Sequence, residues 1–131
     1  MRYLIAVLAL AGLIVSCIAL REHYRVGVAP CDINSTWDCG TVNHSPFAEI
    51  AGVPVAIFGI LGYAAIAAFA LARRWWFVLA LTTGAVGFSI YLTYIEARVL
   101  ETYCIWCVTS AAIIALTEIA TIIAVMRRNK A

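Results

Sequence analysis

The chain has 131 residues, 65% of them hydrophobic and only 12% charged, with a net charge of +2. Charge at about half the soluble norm, set against that apolar excess, excludes a water-soluble domain. A chain this short cannot hide so much apolar surface in one core, so lipid must cover it. The near-neutral balance holds no basic tract of the kind nucleic acid binding needs.

The first apolar run spans Tyr3 to Leu20. Arg2 followed by an apolar stretch resembles a signal peptide, and Ile14-Val15-Ser16-Cys17 resembles the lipobox at which bacterial lipoproteins are cut and acylated. The run continues past that point through Leu20, so it reads as a transmembrane helix. Cys17 then reads as a small buried apolar residue facing a helix or lipid.

Residues 21–52 form a loop with two cysteines, Cys31 and Cys39, in "PCDINSTWDCG". Pro, Asp, Asn and Gly make that stretch bend readily. In "NHSPFAEIAGVP", Ser45 is placed as an N-cap, Pro46 at the first helical position and Gly52 as a stop. Phe47, Ile50 and Ala51 give one apolar face, which predicts a short lid helix on the bundle. Ser45 either caps that helix or touches a ligand beneath it.

Three more apolar runs follow: Pro54 to Ala72, Trp75 to Ile95, and Cys104 to Met126. Each is near the roughly 20 residues that cross a roughly 30 Å hydrocarbon layer. Helix is expected where backbone groups find no water. Gly59, Gly62, Gly84 and Gly87 are small enough to let helices pack closely. The reading is an all-α membrane protein: one domain over residues 1–131, a four-transmembrane-helix bundle with an outward loop and lid helix between helices 1 and 2.

Charge sets the orientation. Arg2, Arg73, Arg74, Arg127, Arg128 and Lys130 share one side with no carboxylate. Arg21, Arg25 and Arg98 lie on the other with Glu22, Asp32, Asp38, Glu49, Glu96 and Glu101. By the positive-inside rule both termini are cytoplasmic. Cys31, Cys39, Cys104 and Cys107 then lie on or close to the outer face, where disulfides persist. The charge argument used no cysteine.

Cys104 and Cys107 form a Cys-x-x-Cys pair at a helix N-terminus, where free amides and the helix dipole favour thiolate. Thiolate is the form that attacks disulfides. Sulfurs at i and i+3 share a helix face. Cys104 is expected toward water and Cys107 about 4.5 Å deeper at 1.5 Å per residue. The pair would join an aqueous redox partner to something dissolved in lipid. Two competing readings are an inert stabilising disulfide and a metal site completed by His23 or His44. Structural zinc sites prefer two close ligand pairs, and Cys-x7-Cys is a wide one. Glu118, the one carboxyl inside a predicted span, lies about 16 Å below Cys107. It reads as a neutral acid bonding between helices beside Thr117 or Thr121.

Taken together, Cys31-x7-Cys39, Ser45 six residues on, the lid segment, "GVPVAIFG" and "SIYLTYIEARVLETYCIWC" resemble the vitamin K epoxide reductase family over nearly the whole chain. The resemblance implies a four-helix bundle around a quinone of the menaquinone, ubiquinone or vitamin K type. It further implies that Cys107 faces the quinone and Cys104 exchanges with the loop. Cys31 and Cys39 would pass in electrons from a thioredoxin-like or DsbA-like protein on the outer face. Ser45, Phe47, Val55, Phe58 and Ala111 are candidate quinone contacts. Animal members that reduce the epoxide are similar to one another in an Asn and a Tyr where this chain has Val55 and Ala111. Plain quinone reduction is therefore expected rather than epoxide reduction. Some bacterial relatives carry a fused thioredoxin-like domain; here, with the chain ending at Ala131, a separate partner is expected. The expected place is the bacterial cytoplasmic membrane, with the active site facing the periplasm or exterior.

Overall fold

The computed structural model describes residues 2–24, 37, 49–50 and 52–130, the last two of these by backbone only. Cys31, Cys39, Ser45 and Phe47 lie outside the described residues. Helix α1 covers Arg2–Tyr24, α2 Val55–Leu71, α3 Trp75–Ile95 and α4 Ile105–Lys130. A π-helical segment, Glu96–Leu100, prolongs α3. Three stretches are long and apolar enough to cross a membrane: Arg2–Tyr24, Trp75–Leu100 and Ile105–Arg128. At 17 residues, α2 reaches about 26 Å, the lower end of a spanning length. Side chains such as Leu10, Leu61, Ile90 and Leu116 are more than half exposed and form the lipid-facing surface of an integral membrane bundle.

Sequential neighbours pack together and α1 closes the ring against α4. The four antiparallel helices thus leave both chain termini at one end. That end is filled. Ile5, Ala9, Ile66, Ala70, Val78, Ala120 and Ala124 form a buried cluster drawn from all four helices. Small residues on facing helices let backbones approach where lipid supplies no hydrophobic drive. The α2–α3 turn at this end is tight: Arg74 N–H donates to Phe69 O at 2.9 Å and Arg73 N–H to Ala70 O at 3.1 Å. This is a Schellman closure with Arg73 at a left-handed φ of 59°.

The expected lid helix is corrected in its last part. Glu49 and Ile50 are not helical but form strand β1 (Glu49–Ile50), antiparallel to β2 (Val53–Pro54), with Ile50 opposite Val53. Gly52, at φ 82°, supplies the left-handed turn residue such a two-residue connection favours. His23 Nε2 lies 3.1 Å from Glu49 Oε1, tying the hairpin to the end of α1. That contact spans distant sequence positions, so local capping rules could not reveal it.

Glycine roles also differ from expectation. A methyl added to Gly59 would meet Ser16 Oγ of α1 at 2.7 Å, a close helix approach; at Gly62, Gly84 and Gly87 it would meet nothing within 4 Å among the described residues. The tightest position is Gly12, where an added methyl would overlap the Tyr63 ring.

Candidate redox site

At the end away from the termini the four helices stand apart around a cavity of about 410 Å³. Such a volume suits a small molecule. Its wall is mostly apolar, with Val15, Ile66, Leu81, Phe88, Trp106 and Ile114 among the lining residues. Gly62 and Gly84 lie on that wall too, so their missing side chains leave room rather than drawing helices together. Tyr63 marks the floor. Its ring packs over Gly12, and its hydroxyl lies 2.9 Å from both the carbonyl oxygen and Oγ of Ser110. Held between α1 and α4, Tyr63 separates the filled half of the bundle from the hollow half.

Cys107 lines this cavity. The carbonyl of Cys104 accepts from Val108 N–H at 3.0 Å, so Cys104 is the residue that caps α4 and Cys107 sits in its first turn. The two side chains pack against one another with no disulfide between them. The expectation that Cys104 faces water is corrected: it is 0% exposed, packed against Leu100, Ile105, Trp106 and Cys107. The chain between α3 and α4 causes this. It leaves the π-helical segment through Glu101 at a left-handed φ of 54° and folds Leu100 over the sulfur.

The same irregular turn brings Glu96 inward. Its side chain is 4% exposed and lies on the cavity wall. Its carboxyl faces the Cys107 thiol and the backbone N–H of Cys104. The latter is one of the orphan donors at a helix start. Sequence reasoning counted Glu96 only among outward loop charges. The available signal was a lone carboxylate immediately after a predicted span, eight residues before Cys104.

Of the candidate quinone contacts, Val55, Phe58 and Ala111 all line the cavity; Ser45 and Phe47, like Cys31 and Cys39, fall outside the described residues. His23 also reaches the cavity wall but is engaged with Glu49. Trp37 forms a parallel bridge to Tyr103, with ring centroids 5.7 Å apart. This joins the loop to the residue before Cys104. Among the described residues, no group of three or more His, Cys, Asp or Glu side chains could hold a metal ion.

Two other expected positions lie elsewhere. Cys17 is exposed on the outer surface of α1, the lipid-facing one of the two expected settings, and the helix runs unbroken through it. Glu118 does bridge helices, but its partner is Thr83 of α3, which donates to Oε1 at 2.9 Å. Thr117 and Thr121 instead donate to α4's own carbonyls at Ile113 and Thr117, each at 2.7 Å.

An apolar cavity with a thiol pair at its wall, set in a helical membrane bundle, suits the transfer of electrons between sulfur and a lipid-soluble ring. The model of the Vitamin K epoxide reductase family matches residues 3–122. The chain belongs to that family and is a membrane-embedded oxidoreductase of the quinone-linked kind.

Proposed function

We propose that this protein oxidises thiols with a membrane quinone and so generates disulfides in exported proteins. One observation carries the reading: Cys107 opens on an apolar cavity within the bundle, while Cys104, three residues earlier at the start of the same helix, is buried behind it. A reduced thioredoxin-like or DsbA-like protein attacks the Cys31–Cys39 disulfide. One freed loop thiol attacks Cys104, breaking the Cys104–Cys107 bond, and the second closes the loop disulfide again. Cys104 and Cys107 are then both reduced. Quinone, when bound, accepts two electrons and two protons, and the pair returns to its disulfide.

The loop route is supported by chain length. Cys39 follows Trp37 by two residues, roughly 7 Å of extended chain, and Trp37 is bridged to Tyr103 beside Cys104. The cavity volume and apolar wall fit a quinone ring, with Val55, Phe58 and Ala111 against it. Neither Val55 nor Ala111 offers a hydrogen bond from its side chain, which favours plain quinone reduction over opening of an epoxide. The arginines at the terminal end favour a cytoplasmic position for that end by the positive-inside rule. The cavity mouth then faces the periplasm or exterior of a bacterial cytoplasmic membrane. Such relays can keep a periplasm oxidising kinetically.

Turnover with a soluble quinone and with the corresponding epoxide, using detergent-purified protein and a reduced dithiol partner, tests the reading. Quinone reduction with little epoxide turnover is expected. Comparable rates on both would move the assignment to epoxide reduction.

A further inference from the structure

Cys107 must shed a proton before its sulfur can give up electrons. The surrounding cavity wall is mostly apolar. The one carboxylic side chain on that wall is Glu96 among the described residues; it is buried and shares the wall with Cys107, whose thiol it faces. We propose that Glu96 is the proton carrier of the redox pair: it takes the Cys107 thiol proton and passes it to the oxygen of the reduced ring. This rests on the quinone-reducing reading above and adds a residue to it.

The step balances. Two thiols and one quinone become one disulfide and one quinol. The Cys107 S–H bond breaks as Glu96 takes the proton; the Cys104 sulfur then bonds to the Cys107 sulfur as two electrons reach the ring. Glu96 delivers one proton to a ring oxygen, and the Cys104 thiol supplies the other.

A bland role is available. Glu96 also faces the Cys104 backbone N–H, where it can cap α4, and capping alone explains a buried carboxyl. Glu96→Gln separates the two roles. The amide oxygen can still accept that N–H, but the group cannot take up a proton. The other ionisable groups facing this region, among the described residues, are Cys104 and Cys107 on α4, His23 on α1 and Tyr63 on α2. Glu22 is buried near the same end of α1, and Arg98 stands exposed on the same turn as Glu96.

The experiment follows iodoacetamide labelling of Cys107 in the reduced, full-length, detergent-solubilised chain across pH, resolved by peptide mass spectrometry, without quinone. A thiol and carboxyl that share a proton titrate as one unit in two macroscopic steps. The wild-type rate is therefore expected to rise in two steps separated by a plateau, and the Glu96→Gln rate in one. A single step in both, or the same two steps in both, would overturn the proposal. Quinone reduction by Glu96→Gln should fall about 100-fold, the lower end of general acid–base effects, in kcat rather than KM. Glu96→Asp, which keeps the acid, should recover part of that loss. Full quinone reduction by Glu96→Gln would defeat the proton role while leaving the thiol–quinone reading intact. Two-step labelling in a wild-type protein that reduces no quinone would defeat that reading but support the proton sharing. If Glu96→Gln fails to fold, the wild-type profile decides: two steps support the proposal and one step overturns it.

Discussion

The two ends of the bundle obey different rules. At the terminal end, small side chains from four regular helices close on one another around Ile5, Ala70, Val78 and Ala124, and the α2–α3 link is a tight hydrogen-bonded turn. At the other end regularity stops. A short hairpin precedes α2, a π-helical segment prolongs α3, Glu101 takes a left-handed conformation, and a buried carboxyl shares the cavity wall with a thiol. The filled half fixes the spacing of the helices. The hollow half uses that spacing to keep an apolar chamber open next to sulfur.

The comparison can be broken at several points. The largest effect belongs to Cys107→Ser, which should bring quinone reduction, followed by absorbance, down to the background rate while leaving the thermal melt close to wild type. Next is Gly12→Ala, in the tight contact under Tyr63. Overpacking there should lower stability by about 1–3 kcal/mol, read as an earlier thermal transition in detergent, and should disturb the cavity floor. Gly62→Leu is the matching change on the open wall. An added Cβ there meets nothing within 4 Å and the position lines the chamber, so the melt should hold while KM for quinone rises about tenfold, roughly 1.4 kcal/mol. A fall in stability instead would mean that the chamber is not a space kept open for a ligand. The smallest effect is expected from Thr83→Val, which removes the donor to Glu118. An interhelical hydrogen bond in a membrane averages about 0.6 kcal/mol, and quinone reduction should be unaffected.

The helices could be read from hydropathy because lipid leaves the backbone few choices. The predicted spans meet the observed helices within a few residues, apart from the extra turn that carries α1 on to Tyr24 and α4 on to Lys130. The pair at Cys104 and Cys107 was equally plain, since its signal is local. What escaped depended on distant contacts or on irregular backbone. Nothing near Glu49 announces its contact with His23. No pattern in "IEARVLETYC" reveals the π-helical segment that buries Glu96 and hides Cys104. Glycine spacing suggested close packing, yet Gly62 and Gly84 border a void and Gly12 carries the tight contact, because spacing alone does not say what faces a glycine.

The most direct measurement of the central claim is anaerobic mixing of the fully reduced, detergent-purified protein with a soluble quinone. Quinone loss is followed by absorbance, and the redox state of Cys31, Cys39, Cys104 and Cys107 by mass spectrometry. The account predicts one quinone consumed for each disulfide formed, counting both Cys31–Cys39 and Cys104–Cys107, and none in Cys107→Ser. Quinone loss at the same rate in Cys107→Ser, or formation of those disulfides without any quinone consumed, would contradict it.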